Sequence, residues 1–292
     1  MIQVNDLSFT YSSKHANIFQ NLSLQLDGGH IYGLLGKNGA GKTTFLKLLA
    51  GLRKPQQGSS KILGMESANR ETAMLEDFYF LTDETWLPDT TVDGYLDLYA
   101  KSYPRFSKEL FESSLKEFEI NRSHKLKQMS FGQRKKVAIS FAFATQCRIL
   151  VMDEPTNGLD IPSKVQFRKV AANLVTEDRC LILSTHQVRD LESLIDRIII
   201  LDNSQILLNE TTDKICNTLL FKNLISLENQ SGVLYSEFTS KGFITIFNNT
   251  EKDDSKLDLE VLFNFATQHP DLIVGLFKKT VSNSARESQP LN

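Results

Sequence analysis

The sequence has few of the features that mark a membrane-spanning or a nucleic-acid-binding chain. Its longest apolar stretches, residues 137–144 and 198–201, are far shorter than the roughly 20 apolar residues that a membrane-spanning helix needs. Its 33 basic residues are matched by 35 acidic ones, so the net charge of −2 predicts neither a basic face for nucleic acid nor a polybasic membrane anchor. Contact with a membrane is therefore expected only through a partner, and no nucleic-acid partner is expected.

Cysteine is scarce, and the beginning of the chain lacks the pattern of a secretory signal. Cys147, Cys180 and Cys216 match no metal-ligand spacing and lie in apolar segments, where cysteine usually behaves as a small hydrophobic residue. The first residues alternate apolar and polar side chains and lack the basic start and apolar core of a signal peptide. These absences predict a cytoplasmic location and structural cysteines.

The order of the apolar runs predicts an α/β fold. Short apolar runs alternate with longer amphipathic ones, which is the pattern of a sheet flanked by helices. Buried strands are predicted at residues 31–35, 148–152 and 180–184, and each ends where polar residues begin. Because ligands of open parallel sheets collect at the carboxyl ends of the strands, we expect functional side chains at these ends.

The chain is predicted to divide into a large domain over residues 1–208 and a small accessory region over residues 209–292. Within the first, the stretch at about 84–145 lacks strand-like runs and is predicted to form a helical subdomain. The second is more polar and contains a predicted hairpin at residues 233–247. From about Ser282 the residues are small and polar, which predicts a frayed tail.

A glycine-rich run follows the first predicted strand and opens a helix predicted over residues 43–49. Its glycines let the backbone turn its N–H groups toward phosphate oxygens, and the helix N-terminus adds partial positive charge. Lys42 supplies a full charge for the β- and γ-phosphates, and the Thr43 hydroxyl is placed to bind Mg²⁺. The alternative is a surface turn that happens to end in Lys and Thr. The predicted ATP-binding residues of this loop are Gly36, Lys37, Asn38, Gly39, Ala40, Gly41, Lys42, Thr43 and Thr44.

Two carboxylates follow the second predicted strand. Four apolar residues, 149–152, lead directly into Asp153 and Glu154. Since a buried strand rarely ends in paired acids without a cation nearby, Asp153 is predicted to contact Mg²⁺ directly or through an intervening ligand. Glu154 is predicted to polarise the water that attacks the γ-phosphate. A solvated strand end before a turn is the alternative.

Together with these two motifs, the run at residues 129–133 resembles the signature of the ATP-binding-cassette (ABC) ATPases, and the resemblance covers about the first 205 residues. In that family the signature binds the γ-phosphate of an ATP held by the opposite subunit. The resemblance therefore implies this role for Ser130, Gly132 and Gln133, and it implies a dimer around two ATP molecules. A hydroxyl and free N–H groups at a helix N-terminus suit an anion. Ser130 as an ordinary helix cap is the alternative.

Three further residues extend the resemblance. Asp160 matches the acid of a loop that crosses the dimer interface, and it is assigned to the ATP site. His186, just beyond the third predicted strand, matches a histidine that contacts the γ-phosphate, so that Glu154, His186 and Lys42 are the predicted catalytic residues. Tyr11 stands where the family stacks adenine on an aromatic ring. A structural histidine and a plain loop tyrosine are the alternatives for the last two.

The sequence departs from the family pattern at two positions. Phe131 occupies the first of two adjacent glycines in the signature, which would be costly if that position required a positive φ. Asp83 stands where most members carry the glutamine that touches Mg²⁺ and relays to the membrane subunit. A carboxylate can still approach the ion, because Mg²⁺ prefers oxygen ligands. Glu84 is the alternative residue for this position, and both acids could belong to a solvated loop.

The resemblance implies a P-loop NTPase core with a small α+β appendage, and an enzyme that hydrolyses ATP to ADP and phosphate with Mg²⁺. Its implied partners are a second copy of itself or a homologous ATPase subunit, and a separate integral-membrane permease that holds it at the inner face of the cell membrane. The signature and the helical subdomain favour a bacterial export-type system. A soluble ABC ATPase acting on nucleic acid or ribosomes is the alternative, although a basic face, zinc-ligand cysteines and a second cassette are lacking. A small-molecule kinase would need an acceptor-binding lid instead of a signature.

Overall fold

The computed structural model describes residues 1–12, 17–228 and 230–284. Its β-strands lie at Ile2–Phe9 (β1), Phe19–Leu26 (β2), His30–Leu35 (β3), Gln57–Ile62 (β4), Met65–Glu66 (β5), Phe78–Leu81 (β6), Ile149–Asp153 (β7), Cys180–Thr185 (β8), Arg197–Asp202 (β9), Gln205–Thr211 (β10), Leu219–Leu224 (β11), Val233–Thr239 (β12) and Gly242–Asn248 (β13). Its α-helices lie at Lys42–Leu49 (α1), Thr72–Leu75 (α2), Val92–Tyr99 (α3), Lys108–Glu117 (α4), Phe131–Ala144 (α5), Ile161–Ala172 (α6), Thr212–Thr218 (α7), Leu259–Gln268 (α8) and Pro270–Ser284 (α9). Within these described ranges, none of the helices has the length and apolar character that a bilayer span requires.

The central sheet has six strands in the order β10-β9-β3-β8-β7-β6. The last five run parallel, and β10 pairs with β9 in the antiparallel sense. Strands β7 and β8 are buried at every residue because two apolar clusters cover the faces of the sheet. The predicted α/β fold is confirmed, and the parallel arrangement brings the three predicted strand ends to one edge of the sheet.

A second, antiparallel sheet in the order β2-β1-β4-β5 packs with α1 against the central sheet. Phe19 of β2 and Phe45 of α1 meet edge-to-face, with their ring centroids 6.1 Å apart. The apolar side chains of α1 are buried in this cluster, including Leu46, Leu48 and Leu49. Packing from both sides therefore fixes the beginning of α1 next to the end of β3.

Helices α3, α4 and α5 follow β6 and precede β7, over the stretch predicted as a helical subdomain. They enclose a buried cluster of their own, in which the rings of Tyr95 and Phe141 lie 4.8 Å apart. Thr91 and Ser107 cap the N-termini of α3 and α4 through their side-chain oxygens. Helix α5 contributes to this cluster and also to the cluster against the central sheet, so it connects the two parts.

The C-terminal part contains a three-stranded antiparallel sheet in the order β11-β13-β12, and β12 and β13 form the predicted hairpin. Strand β10 runs from Gln205 to Thr211, so it crosses the predicted boundary after residue 208. Apolar side chains of α8 share a buried cluster with the central sheet. The predicted tail begins within α9, and residues 285–292 lie outside the described residues. The division into two units stays a prediction.

Candidate ATP-binding and catalytic site

The glycine-rich loop joins β3 to α1 and wraps around the side chain of Lys42. Gly39 and Gly41 have φ values of +83° and +101°, a backbone region that glycine adopts without strain. The buried ammonium of Lys42 donates to the carbonyl oxygen of Gly36 at 2.7 Å and lies across the loop. Burial lowers the pKa of Lys42, while the nearby carboxylates of Glu154 and Asp153 act in the opposite direction. The first N–H groups of α1 have no acceptor within the helix and are oriented for an anion.

Asp153, the last residue of β7, is held by side chains from two other elements. The hydroxyl of Thr43 donates to its Oδ2 at 2.6 Å, and the hydroxyl of Ser184 donates to its Oδ1. Strand pairing places Asp153 opposite Ser184, and both are buried. Ser184 was not predicted as a site residue. Its only signal in the sequence is a polar residue near the end of a buried strand.

Glu154, which follows β7, brings Lys42 and His186 together. Its Oε1 lies 2.8 Å from Nδ1 of His186 and 4.0 Å from the ammonium of Lys42. Its backbone N–H donates to the hydroxyl and the carbonyl oxygen of Ser184, at 3.1 and 3.2 Å. Glu154 adopts φ +47°, a left-handed conformation that is strained for a residue other than glycine. The backbone is thus bent so that the carboxylate faces the loop around Lys42.

Tyr11 contacts the first turn of α1 through Thr44. Its hydroxyl and that of Thr44 are 3.0 Å apart, its ring meets Phe9 edge-to-face, and the Arg53 guanidinium lies 5.8 Å from the ring centroid. About half of the Tyr11 side chain is exposed. The structure therefore places an accessible aromatic ring next to the glycine-rich loop.

The signature run begins α5 and has ordinary helical caps. The Ser130 hydroxyl accepts the N–H of Gln133 at 3.2 Å, and the Gln133 side chain accepts the N–H of Ser130 at 3.0 Å. Phe131 is the first residue of α5 and is not among the residues with positive φ, so its backbone carries no such cost. Its ring lies against Gly158, and a Cβ added at Gly132 would lie 3.1 Å from the carbonyl oxygen of Gly158.

Asp160 caps α6, the next helix along the chain. Its Oδ1 accepts the N–H of Ser163 at 3.0 Å, and hydrogen bonds from Ser163 lower the pKa of Asp160. The predicted residues thus form two groups. One contains Lys42, Thr43, Asp153, Glu154 and His186, and the other contains Ser130, Gly132, Gln133 and Asp160. Among the residues that the structure describes, no hydrogen bond or ion pair joins the two groups.

Asp83, in the loop after β6, contacts neither Thr43 nor Asp153 through a hydrogen bond. Its Oδ1 accepts from the ammonium of Lys135 at 3.2 Å and from the side-chain amide of Asn157 at 3.2 Å. The Lys135 side chain is fully buried, and burial lowers its pKa while the carboxylate of Asp83 raises it. Lys135 and Asn157 were not predicted as site residues.

Magnesium is compatible with the oxygens at the end of β7. Over the described residues no group of three or more His, Cys, Asp or Glu side chains is arranged as a metal site. Mg²⁺ in nucleotide sites typically uses one or two protein oxygens, with phosphates and water completing the set. The adjacent hydroxyl of Thr43 and carboxylate of Asp153 fit that donor set.

Comparison with known proteins identifies the family. The model of the ABC transporter family matches residues 19–157. The chain is 33% identical over 215 residues to the energy-coupling factor transporter ATP-binding protein EcfA1 of Fusobacterium nucleatum subsp. nucleatum, covering 70% of this chain and 80% of EcfA1. It is 30% identical over 216 residues to the ABC transporter ATP-binding protein NatA of Bacillus subtilis, covering 71% of this chain and 88% of NatA.

A solved structure shows the same architecture. The dimeric structure of MJ0796, a bacterial ABC transporter cassette, matches with a TM-score of 0.64 at 25% identity, covering 72% of this chain and 98% of the cassette. The matched part of the chain includes the glycine-rich loop and the two carboxylates after β7. The chain therefore belongs to the ABC transporter ATP-binding proteins and is an ATPase with the P-loop NTPase fold of that family.

Proposed function

We propose that the chain binds two ATP molecules between itself and a second copy or a homologous subunit, and that hydrolysis drives a separate integral-membrane permease. One observation carries this proposal. The side chains around Lys42 and Glu154 converge within one chain, whereas the N-terminus of α5, with Ser130 and Gly132, has no bond to them. A second chain supplies such an N-terminus to the phosphates, and the similarity to a dimeric cassette supports this arrangement.

Magnesium, when bound, neutralises charge on the phosphate oxygens. Thr43 and Asp153 are the residues that would hold it, because their oxygens already lie together and Ser184 fixes the carboxylate. Asp83 is the third proposed residue near the ion. In this structure its carboxylate is hydrogen-bonded to Lys135 of α5 and to Asn157 in the loop after β7.

The protein's own residues support in-line attack by water on the γ-phosphate. Lys42 is a buried cation that exchanges its bond to the carbonyl of Gly36 for phosphate oxygens, and it stabilises charge where charge develops. Glu154 orients the water, and its contact with Nδ1 of His186 fixes the carboxylate. His186 holds the γ-phosphate, and Tyr11 stacks the adenine. The partner's signature, equivalent to Ser130 and the first turn of α5, closes the site from the opposite side.

The permease occupies a groove between the nucleotide-binding core and the helical region. This groove has a volume of about 720 Å³ and is lined by aromatic side chains from both parts, including Phe80, Trp86 and Tyr99. Trp86 is 77% exposed, although large aromatic side chains are usually buried. Thr82, the residue before Asp83, also lines the groove. A permease segment seated there would contact the loop that carries Asp83.

Export is the proposed direction of transport, and the style of the signature supports it. The short, apolar-rich helical region supports it as well. The protein acts on the cytoplasmic side of the membrane, where its permease holds it. The near-neutral charge of the chain supports a function without nucleic acid.

The experiment that tests the proposal is Glu154→Gln. The substitution keeps the shape of the side chain and removes its negative charge, so we expect ATP to bind while hydrolysis slows about 100-fold or more. With ATP and magnesium the variant should accumulate as a dimer, which size-exclusion chromatography with light scattering measures. The matched control is Glu66→Gln, a half-buried acid on β5 that pairs only with Lys61 among the described salt bridges.

Either of two results would contradict the proposal. A Glu154→Gln variant that hydrolyses ATP at the parental rate removes the assigned role of the carboxylate. A variant that binds ATP with slow turnover and stays monomeric removes the shared-site arrangement.

A further inference from the structure

Lys135 is a buried cation at the centre of three functional segments. Its side chain is 0% exposed, although lysine is strongly hydrated and is almost never fully buried without a partner. Its ammonium donates to the backbone carbonyl of Asp83 at 2.9 Å and to the carboxylate of the same residue at 3.2 Å. Removal of one member of such a pair leaves the other charge without its counter-ion. The position of Asp83 is therefore tied to the position of α5.

The same carboxylate also joins the loop that follows β7. The side-chain amide of Asn157 donates to both oxygens of Asp83, at 3.2 and 3.4 Å. Asn157 is three residues after Glu154 and three residues before Asp160. A single carboxylate thus connects α5, the loop after β6 and the loop that carries the catalytic acid.

The two ends of this connection belong to different ATP molecules under the proposed function. Lys135 lies about one turn inside α5, whose N-terminus carries Ser130 and faces the ATP of the partner. Asp83 and Glu154 lie at the ATP of their own chain. A shift of α5 on contact with the partner's ATP is transmitted to Asp83 as long as the ion pair holds.

We propose that Lys135 is a positioning residue that couples the two ATP sites of the dimer through Asp83. The inference rests on the proposed dimer. It assigns the coupling to a buried ion pair within each subunit, in addition to the contacts across the interface. The coupling free energy measures how much ATP at one site changes the affinity of the other site for ATP. Couplings of this kind typically change an apparent affinity about 5- to 150-fold.

The test compares Lys135→Met with the double variant Lys135→Met/Asp83→Asn. Methionine has a similar length and no charge, and the second substitution removes the carboxylate that the first leaves unpaired. The control is Lys127→Met, an exposed lysine of the same region that pairs with Asp89. Thermal unfolding shows which variants keep the parental fold.

Two measurements distinguish a loss of coupling between the ATP sites from a loss of folding. In the Glu154→Gln background, we expect the ATP concentration for half-maximal dimerisation to rise at least about fivefold in both Lys135 variants. In the active protein we expect the Hill coefficient for ATP to fall from above one to one, with the midpoint of unfolding of the double variant close to that of the parent. Lys127→Met should match the parent in both readouts.

A folded double variant whose Hill coefficient and dimerisation midpoint stay within twofold of the parent would overturn the inference. So would a parental Hill coefficient of one in a protein that dimerises with ATP. If the single variant fails to fold, the double variant decides. Failure of the Glu154→Gln parent itself to dimerise would instead count against the proposed function, whatever Lys135 does.

Discussion

At the scale of single residues, Phe131 and Gly158 restrict each other. Phe131 takes an ordinary helical backbone, so its backbone is not strained. Its ring instead limits the space at Gly158, against which it lies. Gly158 has φ +77°, and an added Cβ there would lie 2.4 Å from Cε1 of Phe131. In this side-chain conformation, the Phe131 ring leaves no room for a Cβ at residue 158.

Gly158→Ala should be strongly destabilising for two separable reasons. Its left-handed backbone costs about 1 kcal/mol or more for alanine, and displacement of the Phe131 ring, which is 45% exposed and can move, adds about 1 kcal/mol. In a Phe131→Ala background the second cost should disappear. Urea unfolding of the four proteins in this cycle measures the difference. An equal cost of Gly158→Ala in both backgrounds would show that the ring plays no part.

Some residues of the site can be predicted from the sequence, and others cannot. The glycine-rich loop and the acids after β7 are contiguous in sequence, and their spacing alone predicts a nucleotide site. Lys135 stands in a run of three basic residues, which predicts a solvated surface, and only the packing of α5 shows that it is buried. Ser184 and Asn157 act through partners about 30 and 74 residues away, at Asp153 and Asp83. Pattern reasoning within a short window cannot find such pairs.

At the scale of elements, three helices begin near the site with different caps. Helix α1 begins after Gly41, which has no side chain, so its N–H groups remain available to phosphate. Helix α5 is closed by the side chains of Ser130 and Gln133, and α6 is closed by Asp160. The three buried strands predicted from the sequence lie within one residue of β3, β7 and β8, because each is a short apolar run. The capping box was not predicted, although Ser130 was considered as a cap.

The observed cap and the proposed phosphate-binding role of Ser130 can be separated. Aspartate is as good an N-cap as serine, so Ser130→Asp should keep the free energy of unfolding within about 0.5 kcal/mol, whereas Ser130→Ala should lose about 1 kcal/mol. A carboxylate at this helix start would repel the phosphates of the partner's ATP. We therefore expect Ser130→Asp, in the Glu154→Gln background, to stay monomeric with ATP in light-scattering measurements. Dimerisation at the parental ATP concentration would leave Ser130 with a capping role alone.

At the scale of the whole molecule, helices α8 and α9 share a buried apolar cluster with the central sheet. The N–H of Leu259, at the start of α8, donates to Glu192 at 3.0 Å, and Arg189 pairs with Glu260. These contacts lie three to six residues after His186. The aromatic groove reaches Thr82, beside Asp83. The C-terminal region is thus anchored a few residues after His186, and the groove reaches the loop that carries Asp83.

The groove gives a test of the permease partner. Tagged Glu154→Gln protein, captured with ATP and magnesium from gently solubilised membranes of the native cells, should recover a polytopic membrane protein identified by mass spectrometry. Trp86→Ser should reduce that recovery severalfold because it removes the most exposed aromatic ring of the groove. The control is Leu98→Ser, an exposed apolar residue on α3 that does not line the groove. Recovery of ribosomes or nucleic acid in place of a membrane protein would favour the soluble ATPase.

The left-handed backbone of Glu154 sets the thermal stability of the protein against its ATP hydrolysis. A conformation of this kind costs about 1 to 3 kcal/mol for a residue with a side chain, and glycine or asparagine would relieve part of that cost. Selection for heat resistance alone would therefore favour loss of the carboxylate that we propose orients the water. Position 154 is a place where thermostability and turnover are opposed, and a screen for stable variants must include a screen for ATP hydrolysis.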